Sequence, residues 1–332
     1  MESNIEKAVD DIKLDTVEDR IETAQKLNSA LSDKQLEFNL QKWAERFTPE
    51  YMAELEVKDY EQDREYPENF SNWYPHIKDF GYFKCADVIS NQIFTLEETK
   101  EFKKENFADV DIVKLKKILK PTLDKMEHYK VYNIKNGCFS NKFNFETSRA
   151  SDISLVKKMW DINYQSSLFD TGGYTELVVR EYIPYNPLET PTIYNGMPMR
   201  EEVRVFYNMD KQEIEYIEDY WKYSYCEPHI NNLTDKIIFK WFHNKLKTRK
   251  VQHRERLQKL KDIIYDNIHT LKFDGELKGI WSIDFMYVDD DSRYSGLWLI
   301  DMARGFRSAY WNIDKLTYST RKKMIEEMKN GR

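Results

Sequence analysis

Two short apolar runs, each carrying a carboxylate at or near its end, constrain this 332-residue chain more than anything else in it. One is Gly279-Ile280-Trp281-Ser282-Ile283-Asp284-Phe285, and the other runs from Gly296 through Leu297-Trp298-Leu299-Ile300-Asp301-Met302-Ala303-Arg304 to Gly305-Phe306. Between them lies Asp289-Asp290-Asp291-Ser292-Arg293-Tyr294-Ser295, a polar turn of the kind that joins two antiparallel strands. An acid carried in among Trp and Ile is costly unless its charge is paired or binds a metal. A hairpin that brings Asp284 and Asp301 together is therefore a candidate magnesium site, completed by phosphate and water oxygens. The plainer alternative leaves both acids at strand ends in water.

The rest of the composition narrows the class. At this length the chain can hold one large domain or two to three subdomains. Its hydrophobic content of 41% supplies a core, and no apolar run approaches the length of a membrane span. The first thirty residues lack the basic start and apolar centre of a signal peptide. Cys85, Cys138 and Cys226 lie far apart, which points to a reducing cytoplasm and to neither a disulfide frame nor a zinc knuckle. The net charge of -7 argues against bulk electrostatic binding of nucleic acid. Locally the balance reverses over residues 240–261, from Lys240 through Arg249 and Arg256 to Lys261. A solvated helix face is the favoured reading there, with a polyanion contact as the alternative. Neither Gly-x-x-x-x-Gly-Lys nor Gly-x-Gly-x-x-Gly occurs, which removes those two nucleotide-binding modes.

In chain order, residues 1–65 read as a charged helical extension, with Ile12, Leu14, Val17, Ile21 and Ala24 at near-helical spacing. Asn69-Phe70-Ser71-Asn72-Trp73-Tyr74-Pro75-His76-Ile77 then breaks the pattern as an ordered aromatic segment. A strand is expected within residues 82–90, a capped helix from Thr95, and a second helix over 110–127 interrupted at Pro121. Tyr129 to Phe145 alternates, turns at Asn136-Gly137 and alternates again, which predicts a hairpin with Lys135 and Lys142 flanking the turn. Two lysines beside a turn suit a phosphate; ordinary surface lysines are the alternative. Glu176 to Pro184 reads as a buried strand, residues 186–199 as a mobile loop, and Glu201 to Tyr207 as a strand whose inward Arg204 wants an anion opposite it. One or two strands over 214–225, a long helix over 250–270 with Leu257, Leu260, Ile264 and Ile268 on one face, and a charged C-terminal helix over 312–330 complete the reading.

Lys272-Phe273-Asp274-Gly275 matches the Lys-x-Asp-Gly nucleophile motif of polynucleotide ligases, in which the lysine is adenylylated. That chemistry needs a further sheet bearing acids and lysines after the nucleophile, and too few residues follow here to supply one.

The order of these features resembles the ATP-grasp fold. More narrowly, it resembles the cell division cycle protein 123 family, the assembly chaperone of eukaryotic translation initiation factor two, with its bacterial and phage relatives. Phe70-Ser71-Asn72-Trp73-Tyr74-Pro75 is similar to that family's opening block, and Lys135 and Lys142 to its paired basic residues. Leu177-Val178-Val179-Arg180, Glu202-Val203-Arg204 and Trp298-Leu299-Ile300-Asp301-Met302-Ala303 are similar to its later blocks, so the resemblance covers residues 69–307. It implies an α+β protein in which two antiparallel subdomains sandwich ATP, behind a helical N-terminal extension. The implied divisions are 1–65, 66–175, 176–311 and 312–332. Lys135, Lys142 and Arg180 would serve the nucleotide, and the backbone of Glu181, Tyr182 and Ile183 would take the adenine edge. Arg204 would neutralise the terminal phosphate, with Lys142 as its catalytic companion, and Asp284 and Asp301 would hold Mg2+.

One departure stands out. The family carries Asn, a metal ligand, two residues after its last Asp, where this chain has Ala303, followed by the cation Arg304. The expected activity is that of an ATP-dependent carboxylate–amine ligase acting through an acyl phosphate, on a carboxylate and an amine that the sequence does not name. The first alternative is an ATP-bound assembly factor that grips a protein partner without turnover. The second is a nucleic-acid ligase using Lys272.

Overall fold

The computed structural model describes residues 48–103, 107–139, 142–168, 172–187, 190–230, 232–248, 250–288 and 293–329. The chain divides into two compact units, Met1–Asp59 and Tyr60–Arg332. Most of the helical extension expected over residues 1–65 lies outside the described residues; its end is helix α1, Pro49–Arg64, which runs across the division.

The second unit is α+β and is built on two main sheets. In chain order its strands are β1 (Ile77–Asp79), β2 (Lys84–Cys85), β3 (Val88–Ile93), β4 (Tyr132–Asn136), β5 (Arg149–Ala150), β6 (Glu176–Glu181), β7 (Thr192–Ile193), β8 (Met197–Pro198), β9 (Glu201–Asn208), β10 (Glu213–Asp219), β11 (Lys272–Phe273), β12 (Ile280–Val288) and β13 (Gly296–Arg304). A four-stranded sheet has the order β3-β6-β4-β5, and a five-stranded sheet the order β10-β9-β12-β13-β2. All pairings in the first are antiparallel; in the second only β2 runs parallel to its neighbour, β13.

Alternation decides which residues face the core of each sheet. In the four-stranded sheet Tyr132, Ile134, Leu177 and Val179 pack against Leu115 and Leu119 of helix α3 (Ile112–Leu123) and Leu155, Met159 and Ile162 of helix α4 (Leu155–Leu168). Helix α2, Leu96–Phe102, opens with the full capping box that Thr95 and Glu98 predict. Pro121 does not interrupt α3: it lies inside the last turn of that helix. In the five-stranded sheet Val203, Val205, Tyr207, Trp281, Ile283 and Phe285 share one core with Leu260 and Ile264 of helix α6 (Lys250–Asn267). That helix was expected from its apolar face; helix α5, Leu233–Thr248, precedes it. Val178, on the second face of the four-stranded sheet, belongs to this same core, so the two sheets meet there.

Three expectations need correcting. Asn136-Gly137 is not the turn of a hairpin. β4 ends at Asn136, the Gly137 amide donates to Gly173 O at 2.8 Å, and the chain passes through a 3-10 run, Lys142–Ser148, before β5 returns beside β4. Phe70 N donates to Gly137 O at 3.1 Å, so both backbone polar groups of Gly137 are taken by segments outside β4 and β5. Residues 186–199 are not a plain loop, because β7 and β8 pair within them. The division between 175 and 176 falls in the wrong place, since β6 lies between β3 and β4 in the first sheet.

The C-terminal helix α7, Tyr318–Lys329, is shorter than the expected 312–330 and is anchored through Glu215 of β10. That carboxylate accepts from Asn208 Nδ2 at 2.7 Å, Thr317 N at 2.8 Å and Thr320 Oγ1 at 2.5 Å.

Candidate functional site

A cleft opens where the two sheets meet. Its walls come from both sheets. Asn133, Arg180 and Glu181 belong to the four-stranded sheet, while Glu202, Asp284, Met286, Leu299, Ile300 and Asp301 belong to the five-stranded one. Tyr182, Ile183, Met197, Pro198 and Arg200 close one end.

The polar centre of this cleft follows from strand register. Asp284 on β12 lies directly opposite Asp301 on β13 and Arg204 on β9, so the three side chains emerge on one face of the sheet. Arg204 donates from Nε to Asp284 Oδ1 and from Nη2 to Asp284 Oδ2, both at 2.7 Å, and from Nη1 to Ala309 O at 3.2 Å. Burial opposes the charge on this guanidinium, but the fork onto Asp284 outweighs burial and holds the group firmly protonated. The anion that an inward Arg204 requires is thus Asp284.

Asp301 is held differently. Lys135 reaches it from the other sheet, with Nζ 2.8 Å from Oδ1, and the Met302 amide donates to the same oxygen at 3.1 Å. Lys135 is only 1% exposed, whereas the Asp301 side chain is 32% exposed. No hydrogen bond among the described residues is made to Asp301 Oδ2. The two acids are therefore not equivalent: Asp284 has both oxygens engaged by Arg204, and Asp301 keeps one toward the cleft.

Arg180 completes the cationic side. Its Nη1 donates to Ile300 O at 2.8 Å, while its buried Nε has no hydrogen-bond partner. Around the apolar end, the Glu181 side chain accepts from Tyr294 Oη at 2.8 Å and pairs with Arg293, and the Glu181 amide donates to Asp87 O at 2.8 Å. Arg200 donates to Ile183 O at 3.3 Å and also to Pro184 O, bracing the segment after β6.

Lys135, Arg180, Glu181, Tyr182, Ile183, Arg204, Asp284 and Asp301 are therefore gathered in or against one cleft. Lys142 opens the 3-10 run, but its side chain lies outside the described residues. Arg304 is not at the acidic pair. Alternation carries it to the opposite face of β13, where its guanidinium sits 5.5 Å from the Trp281 ring centre, beside the strand's register partner. Ala303 is paired with Ser282, whose hydroxyl engages Ser308 Oγ at 2.5 Å. Arg200, Asn133 and Met286 line the cleft without having been singled out from sequence, and Glu202, also in the lining, entered only as part of a matched block. The i,i+2 spacing of Glu202 and Arg204 was the one local signal that could have found any of them.

Lys272 lies outside the cleft lining, on a two-stranded sheet where β11 pairs with β1. In the basic stretch, Arg256 pairs with Glu201 at 3.1 Å and Lys261 with Asp219 at 2.7 Å, as befits a solvated helix face against an acidic strand edge. The side chains of Lys245, Lys247, Arg249, Lys250 and Arg254 lie outside the described residues.

The donor set fits a divalent ion only with help. Among the described residues no group of three or more His, Cys, Asp or Glu stands together, so an ion here would draw on Asp301, Asp284 and oxygens from phosphate or water. No helix among the described residues is long and apolar enough to cross a membrane. No family model matches the chain, and no curated protein matches it either.

Proposed function

We propose that this chain is an ATP-grasp protein that binds ATP with magnesium in the cleft between its two sheets and acts as a carboxylate–amine ligase. The observation that carries this reading is the meeting of Lys135, from one sheet, with Asp301, from the other, at the polar centre of a cleft whose far end is apolar. That arrangement suits a planar base at one end and a polyphosphate at the other. Leu299, Met286 and Ile183 offer apolar surface to a purine, with the segment after β6 along its edge. Arg180 and Lys135 present cationic donors to phosphate oxygens. Asp301, with Asp284 behind it, would hold Mg2+.

When bound, ATP with its ion would activate a carboxylate by phosphoryl transfer. The chain's own contribution is electrostatic: preorganised cations face the charge that develops on the transferred group. Arg204 contributes as the fixed counter-ion of Asp284, and would reach a phosphate only by giving up part of that fork. A second reading, an ATP-bound factor that grips a protein partner without turnover, is favoured by Ala303. This methyl group beside Ser282 supplies no oxygen where a further metal ligand would stand.

The test begins with thermal melts in ATP and magnesium. The melting temperature should rise, and Lys135→Ala should lose most of that rise while remaining folded without ligand. An unchanged rise in this variant would remove Lys135 from the site. Incubation with labelled ATP, amino acids and cell extract then separates the readings. ADP with a new amide supports the ligase, binding without turnover supports the grip, and an AMP adduct lost in Lys272→Ala would overturn both.

A further inference from the structure

We infer that the acidic pair is locked by the chain's own cations, so that a divalent ion enters this site only together with a polyphosphate. The inference deepens the nucleotide reading above and rests on it. Asp284 and Asp301 face two cations, Arg204 and Lys135, at 2.7 and 2.8 Å, and the pairing leaves them no net charge to offer a metal. Arg180 adds a third cation next to the pair, beside Ile300. Of this acidic pair, a divalent ion arriving alone would meet one uncommitted oxygen, Asp301 Oδ2, and would have to shed part of a tightly held hydration shell to reach it.

A polyphosphate meets the opposite situation. The Arg180 Nε is buried, has no hydrogen-bond partner, and belongs to a guanidinium that lines the cleft. Arg180 and Lys135 share one face of the four-stranded sheet on neighbouring strands and reach the consecutive residues Ile300 and Asp301, so a phosphate taken up by this guanidinium would stand where it can also draw the Lys135 ammonium off Asp301 Oδ1. That exchange frees the second oxygen of Asp301 just as the phosphate brings oxygens of its own. The ion then meets both oxygens of Asp301 together with those of the phosphate, where before the acidic pair offered it one. Metal and polyphosphate must therefore bind with strong positive coupling, and linkage requires each to tighten the other by the same factor.

The experiment measures manganese binding by the loss of the free-ion electron paramagnetic resonance signal. The native chain is titrated alone, with ADP and with tripolyphosphate, after allowing for the ion each anion binds in free solution. The expected result is that ADP and tripolyphosphate each tighten manganese binding at least about tenfold. Lys135→Met, checked for folding by its melt, should bind manganese alone at least about tenfold more tightly than the native chain, because Asp301 is released. Native protein that binds manganese alone as tightly as with ADP overturns the lock, and so does a folded Lys135→Met that gains nothing. If neither anion changes manganese binding but Lys135→Met gains it, the lock stands and the nucleotide reading falls.

Discussion

Asp284 and Asp301 are register partners on neighbouring strands, yet their energetics differ because their cations differ. Asp284 and Arg204 are both nearly buried, at 8% and 9% side-chain exposure, and satisfy one another through a two-bond fork. Removing one member of such a pair leaves an uncompensated buried charge, which typically costs about 3–5 kcal/mol. Asp284→Ala should therefore lower the urea unfolding midpoint strongly. Asp301→Ala should cost clearly less, because water already reaches this carboxylate and can solvate the Lys135 ammonium once it is gone. Equal losses in the two variants would show that exposure does not divide them. Gly137 presents a separate residue-scale constraint. A Cβ there would stand 2.2 Å from Asn69 Oδ1 and 2.7 Å from Glu176 Oε1, both on buried side chains. Gly137→Ala must push these groups aside, so a loss of about 1–3 kcal/mol in the same titration is expected.

At the scale of elements, the start of helix α7 is held by Glu215 of β10, with Lys211 donating to Ser319 Oγ at 2.8 Å and Thr320 Oγ1 at 2.7 Å beside it. Burial pushes the Glu215 carboxyl up, but its bonds from Asn208, Thr320 and Thr317 together hold it below the usual carboxylate range. Its contribution is therefore complete above the ordinary pKa of a glutamate and is lost as pH falls through the lower folded value. Glu215→Gln replaces an acceptor of three bonds by a group that can no longer satisfy all of them, at a cost of about 1–3 kcal/mol. Amide exchange should quicken over Tyr318–Lys329, and the loss of stability on acidification should become shallower. Unaltered exchange in that helix would show that packing against Leu316 and Trp311 holds it instead.

At the scale of the whole molecule, a ligand bridging the two sheets should stabilise both together. Saturation at about a hundred times the dissociation constant adds about 2.7 kcal/mol, which for a unit of this size corresponds to a rise of roughly 5–10 °C. The cleft draws on residues 86–301 alone. Removal of residues 1–47 should therefore leave ATP affinity within about twofold of the full chain, measured by titration calorimetry. A loss of tenfold or more would assign the N-terminal segment a part in binding.

Local pattern was enough to place β12 and β13 as an acid-bearing pair, to cap helix α2 at Thr95 and to set Leu260 and Ile264 on the core face of α6. Each of these follows from a period, a cap or a turn contained within one stretch of chain. The same logic brought Asp284, Asp301 and Arg204 forward as candidates, because charged residues at inward strand positions demand partners; Lys135 came forward from a hairpin turn that the structure does not contain. Which partner each one takes was beyond it. Lys135 and Asp301 are separated by 166 residues, and only the packing of one sheet on the other brings them to 2.8 Å. The register shift between Asp284 and Phe285, which leaves Ile300 unmatched on β13, is likewise settled only in the assembled sheet. Alternation within a strand is local and can be read from the residues. Sheet membership, register and the choice of counter-ion are energies of contact between remote segments, so only the tertiary structure decides them.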